Sequence, residues 1–237
     1  MLKKLALAFI VISFASCDSA TLAQLGNVLG DTPLTNEQVG AGLKEALTNG
    51  ISKGSDLLSQ VDGYYKSEYK ILLPPEARKV ADKLKNVPGF KNFEEDILEK
   101  INRGAEDAAK KAKPIFVNAI KQMSFADAMN ILMGEDNAAT QYLNRTTRDA
   151  LYKEFNPVIV ESLDKFNARE SWAKGVNAYN KIPFTEKANP DLDDYVTTSA
   201  LDGLFAMVAK EELNIRKNVS ARSSDLLKKV FAKQDKK

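Results

Sequence analysis

A few sets of side chains in this sequence have types and spacings that invite chemistry, while the commonest catalytic base is missing. There is no histidine in the 237 residues and there is one cysteine, Cys17. That removes Ser-His-Asp and Cys-His catalysis and histidine-ligated zinc. A serine hydroxyl activated by a lysine amine is the next possibility, and Ser67/Lys70, Ser162/Lys165 and Ser171/Lys174 have the S-x-x-K spacing. The S-D-N and K-T-G elements that accompany that spacing in its enzyme class are absent. Glu95 and Glu99 would lie on one helical face, the arrangement that paired-carboxylate hydrolysis or metal binding needs, but Glu94 and Lys100 beside them make that a solvated face. Asp191, Asp193 and Asp194 suggest calcium, yet Tyr195 stands at the fifth loop position and Val196 where an EF-hand has glycine. The run Gly50-Ile51-Ser52-Lys53-Gly54 has neither the spacing nor the preceding strand of a phosphate loop. We therefore expect no enzymatic activity, no cofactor and no metal.

Cys17 points to a different chemistry. Lys3 and Lys4 precede an apolar run from Leu5 to Ala15, and Ala15-Ser16-Cys17 ends it with small residues before the thiol. A charged start, a short apolar stretch and a small-residue cleavage site make a secretory signal, too short for a permanent span. A cysteine at the cut implies a bacterial lipoprotein, with Cys17 acylated as the new N-terminus; Phe14 replaces the leucine usual three residues before it. Acyl chains buried at ~0.8 kcal/mol per methylene hold a protein on a bilayer without a spanning helix. The expected address is the outer membrane facing the periplasm. The inner membrane is the alternative, because Asp18 after the cysteine is a retention signal in enteric bacteria.

The formal charge of +2 resides in Lys3 and Lys4 of the signal, so the rest of the chain balances acid against base. A nucleic-acid binder would show a clustered basic excess, and none is expected to bind here. Residues 1–16 are read as signal, 17–34 as a lipidated tether and 35–237 as one domain, a length sufficient for a sizeable core.

That domain reads as helix almost throughout: an all-α, single compact multi-helix bundle. Thr35 and Gln38 form a capping box. Val39, Leu43, Leu47, Ile51, Leu58 and Val61 follow on one face, and Gly42, Ala46, Gly50 and Gly54 form a small stripe against which another helix can pack closely. Residues 63–75 are a connector rich in Tyr64, Tyr65 and Tyr69. Pro75 opens a helix to Asn86; Phe93 starts a long one carrying Ile97, Leu98, Ile101, Ala105 and Ala108, interrupted or kinked at Pro114. Ser124 and Asp127 form a second capping box. Residues 138–155 form a helix with Ala139, Tyr142, Leu143, Thr146, Ala150 and Phe155 inward, ending before Pro157. Helices are expected over 158–166, 172–179, from Asp191 through Val208, and over 223–232, with a loop at 182–190. The acids near 191–194 and the lysines at the C-terminus suit helix dipoles.

Several blocks occur together: GLKEAL from Gly42, KPIFVNAIKQMSFADAMNIL from Lys113, AATQYLNRTT from Ala138, DLDDYVTTSALDGLF from Asp191 and ARSSDLLKKVF from Ala221. In this order they resemble the bacterial family called domain of unknown function 4197, from about Leu34 to Phe231. Val219 stands where that family has proline, and 167–187 match weakly. The resemblance implies an exported, mostly helical single domain and carries over no catalytic residue. The polar members of its blocks, Tyr142, Arg145, Thr146, Asp194 and Tyr195, are candidates to line a cleft. Alternatively Arg145 pairs with Asp149 across one turn while Tyr142 and Thr146 pack inward. The leading functional expectation is a membrane-anchored module that binds a partner protein or envelope component, through an apolar or aromatic patch around Tyr64, Tyr65 and Tyr69. A carrier of small apolar ligands or lipids, with a cavity between helices, is the alternative; a hydrolase using carboxylates alone ranks third.

Overall fold

The two capping boxes form as their sequences require. Thr35 Oγ1 accepts the Gln38 N–H at 3.2 Å while Gln38 Oε1 accepts the Thr35 N–H at 2.9 Å. Ser124 and Asp127 exchange the same pair, both at 3.1 Å. A computed structural model of the chain describes residues 34–184, 187–188 and 191–235. Cys17, the signal and the tether up to residue 33 lie outside the described residues.

Nine α-helices occur among the described residues, with no strand: α1 (Asn36–Leu58), α2 (Pro75–Leu84), α3 (Phe93–Ala109), α4 (Ala112–Gln122), α5 (Phe125–Leu132), α6 (Ala138–Lys165), α7 (Ala168–Tyr179), α8 (Asp193–Lys217) and α9 (Asp225–Asp235). The long helices α6 and α8 pack along each other at the centre. On one side α1 lies against α8 and carries α4, α5 and α9; on the other α3 covers α6, and α2 and α7 pack beside it. The residues from Thr35 onward form one compact unit.

The stripe of small residues on α1 is an interface with two helices. A methyl on Gly42 would come within 2.6 Å of Val230 of α9, and one on Gly54 within 2.9 Å of Met207 of α8. The expected apolar face ends sooner than its pattern, because α1 stops at Leu58 and Val61 is 78% exposed.

Three expectations from the pattern need correction. Pro157 lies inside α6, which runs unbroken to Lys165. Its missing N–H would have met the carbonyl of Lys153, and both residues are on the exposed side where water can take that carbonyl, while Phe155 and Ile159 stay buried. The break before α4 falls at Lys110-Lys111, leaving Pro114 in the first turn of α4, where its lack of a donor costs little. On α6, the inward face runs Ala139, Leu143, Thr147, Leu151 and Phe155; Thr146 and Ala150 are exposed and Tyr142 is half-buried. The inward hydroxyl is that of Thr147, bonded back to the Leu143 carbonyl at 2.6 Å.

The connector between α1 and α2 has no regular ladder, so α3 satisfies its backbone. Asn102 accepts the Ile71 N–H at 2.8 Å and donates to the Ile71 carbonyl at 2.9 Å. Glu106 accepts the N–H groups of Tyr64 and Tyr65 at 3.2 and 3.1 Å, and Arg103 reaches both Glu106 and Asp62. Tyr64 inserts beside Gly203 and donates its hydroxyl to the Ala200 carbonyl at 2.7 Å. Burial, then the Glu106 charge, push its phenol pKa up.

A buried ion pair joins four helices. Glu212 of α8 accepts the Ala139 and Thr140 N–H groups at 2.9 and 2.8 Å, and the Thr140 hydroxyl, at the start of α6. Arg216, one turn on, pairs with Glu212 at 2.8 Å and donates to the Ile131 and Leu132 carbonyls at the end of α5 and to Gln234 of α9.

Two stability measurements follow. By urea denaturation, Glu212→Ala is expected to cost about 3–5 kcal/mol, because Arg216 is left buried and unpaired; Lys53→Ala, which removes an ammonium 59% exposed in its pair with Glu211, is expected to cost at most ~1 kcal/mol. In the same assay Gly175→Ala, whose methyl would sit 2.3 Å from the Phe93 ring, should destabilise by about 1–3 kcal/mol, while Gly40→Ala, with its nearest neighbour at 3.9 Å, should stabilise by ~1 kcal/mol.

Candidate functional site

The start of α2, the buried face of α7 and the approach to α8 converge on a cleft of about 430 Å³. Trp172 and Tyr179 stand two turns apart on α7, on one face, and underlie the cleft with only their edges reaching it, at 2% and 7% exposure. Trp172 is held from behind by Phe93 of α3, stacked at 5.8 Å between ring centroids and 17° between planes. Ala77 of α2 and Leu192, both buried, extend the apolar lining, and Pro74 completes it at the end of the connector.

Tyr195, in the first turn of α8, forms one wall. Its hydroxyl donates to the Leu72 carbonyl at 2.7 Å, tying α8 to the chain that leads into α2. Lys187 and Ala188 form another. The Asn180 side chain accepts the Ala188 N–H at 2.9 Å and donates to the Ala188 carbonyl at 3.2 Å, a reciprocal bracket that fixes this short segment. Lys187 donates back to the Asn180 carbonyl.

The charged groups at the cleft among the described residues are Lys79 of α2, Lys187 and Asp191, all exposed. The Asp191 carboxylate accepts the Asp193 N–H at 2.9 Å and so serves the start of α8. Asp193, just beyond, has its carboxyl pKa pushed up by burial despite Arg169 Nε at 3.3 Å.

Of the five candidate residues from the sequence, Tyr195 alone lines this cleft. Tyr142 and Arg145 sit together on α6, with the guanidinium 5.8 Å from the ring centroid, and Thr146 donates its hydroxyl to the Tyr142 carbonyl at 2.9 Å. Asp194 accepts the Tyr152 hydroxyl at 2.7 Å. Tyr142 and Tyr152 are about 15 Å apart along α6 at 1.5 Å per residue, so the five fall into separate groups and form no common cleft. The tyrosine patch also fails to form: Tyr64 is fully buried, and the half-buried Tyr65 ring is covered by Lys70 at 4.4 Å and Arg103 at 5.2 Å. Trp172, Tyr179, Lys79 and Lys187 went unselected in the sequence; the single tryptophan next to the 182–190 loop was the available signal.

The serines of the S-x-x-K pairs donate elsewhere: Ser67 to the Tyr64 carbonyl, Ser162 to Asp107 and Ser171 to the Asn167 carbonyl. Among the described residues no three acidic, cysteine or histidine side chains gather as metal ligands, and no helix is long and apolar enough to cross a membrane. A larger groove of about 630 Å³ between Tyr69 and Leu213 is wider and more open than the Trp172 cleft.

Fold and site thus define an all-α domain built on two long central helices, with a half-open, aromatic-lined cleft at the start of α8. The family model described as a protein of unknown function (DUF4197) matches residues 33–232, and the chain belongs to that family. No curated protein and no solved structure matches it.

The Tyr195 bond to Leu72 closes one end of the cleft. Tyr195→Phe is expected to lower stability by ~1 kcal/mol, read as a shifted urea midpoint at unchanged slope.

Proposed function

We propose that this chain is an exported, lipid-anchored and non-catalytic binding domain that takes a component of the cell envelope into the Trp172 cleft. The cleft carries the reading. Its volume of about 430 Å³ lies in the range of small-molecule sites, and apolar and aromatic side chains with a few polar groups line it, as such sites require. It opens to solvent and is too small for a folded partner, which favours a drug-sized component over docking of a protein on a tyrosine patch. The lysine-serine geometry supports a non-catalytic role, since each candidate serine hydroxyl donates to a group other than its lysine.

The anchor rests on Cys17 and the apolar run before it, and places the domain on a membrane with its helices in the periplasm, the outer membrane being the first choice. The near balance of charge outside the signal argues against nucleic acid as a partner.

Metabolic labelling with a radioactive fatty acid tests the anchor: label is expected in the wild type and absent from Cys17→Ala. Equal labelling of the two, or wild-type protein found free in the cytosol, overturns it. An organic extract of cell envelopes should change the emission of Trp172, the only tryptophan; no change at saturating extract overturns the binding role.

A further inference from the structure

The charges around the cleft narrow the chemistry of its occupant. Two ammonium groups reach it from different parts of the chain, Lys79 from the first turn and a half of α2 and Lys187 from the segment bracketed by Asn180. Among the described lining residues the only acid is Asp191, whose carboxylate accepts the N–H of Asp193. Lys187 spends one donor on the Asn180 carbonyl, and an ammonium carries three, so it can still meet a ligand oxygen. Below these heads lie Trp172, Ala77 and Leu192, which offer no charge at all.

We propose that the cleft selects a small amphiphile with one anionic head group, a carboxylate or phosphate, held by Lys79 and Lys187, and an apolar or aromatic body lying on Trp172 and Leu192. This rests on the binding role proposed above and specifies its ligand. An apolar floor without charged rims would accept neutral and anionic bodies alike. Here the rim adds a preference for negative charge, which salt weakens because both lysines are exposed. A cationic amphiphile meets two ammonium groups against the one described carboxylate, Asp191.

Two dyes with the same aromatic body separate the contributions. Anilinonaphthalene sulfonate carries a sulfonate; N-phenylnaphthylamine lacks it. Each is titrated into the full-length chain in a non-ionic detergent, and emission sensitised by Trp172 is read against a Trp172→Phe blank that removes micelle-bound signal. The anionic dye is expected to bind about three- to ten-fold more weakly to the Lys79→Gln/Lys187→Gln double variant than to wild type, and to weaken with salt. The neutral dye should bind both proteins equally. The Lys79→Arg/Lys187→Arg variant keeps the charges and should retain the anionic preference; circular dichroism shows that each variant is folded. Octanoate or octyl phosphate should displace the anionic dye. If neither dye binds wild type, the binding role itself falls. If both bind and the glutamine variant leaves the anionic dye unaffected, or if neither octyl compound displaces it, the anionic assignment alone falls.

Discussion

The contact between Glu212 and Arg216 of α8 ties the start of α6, the end of α5 and α9 to one helical turn. Every helix leaves four N–H groups at its start and four carbonyls at its end without partners, and burying those ends is costly unless something supplies the missing bonds. Both ends of the α5–α6 turn are served from a single turn of α8. The carboxylate takes two N–H groups of α6, and the guanidinium takes two carbonyls of α5. Each ion makes the other's burial tolerable, with side-chain exposures of 1% and 5%. Arg222 repeats the device at the same end of α8, donating to the Ile215 and Arg216 carbonyls while pairing with Asp235 of α9. Such buried charges are poor sources of net stability compared with well-packed apolar groups, but the loss of one partner is severe. We take their role here to be orientation: α5, α6 and α9 have one arrangement in which all these bonds close.

The opposite side of the molecule uses a mixed version of the same solution, one neutral amide and one carboxylate paired with Arg103. Residues 59–74 lack a ladder, so Asn102 and Glu106 of α3 supply the acceptors and donor that a neighbouring strand would have given. This pinning sets where the chain enters α2, and the Leu72 carbonyl it presents is the one that receives the Tyr195 hydroxyl. The geometry of the cleft therefore depends on side chains of α3 that do not line it.

What the sequence revealed was local. Both capping boxes span four residues and could be read directly, and the small stripe on α1 announced close packing because glycine in a helix interior is otherwise a cost. What it concealed was long-range. Glu212 looks like one more surface acid until the N–H groups it serves, about seventy residues earlier, are placed beside it. Pro157 read as a stop because the pattern carries no sign that the orphaned carbonyl faces water. The cleft draws on positions from Pro74 to Tyr195, and only Asp191, Leu192 and Tyr195 lay in a block that stood out. Tyr64 misled for the complementary reason: an aromatic in a connector looks exposed unless the notch at Gly203 that receives it is known.

Helix α8 carries the chain about 32 Å, at 1.5 Å per residue, from the cleft at Tyr195 to the ion pair at Arg216. One wall of the cleft is thus an extension of a helix that a buried ion pair braces at its other end. A wall of that kind is preorganised: an incoming molecule spends little of its interaction energy on ordering it. For the ligand proposed above, discrimination would then follow from shape and head-group fit against a fixed template, and residence time from the contacts themselves instead of from refolding of the protein around its guest.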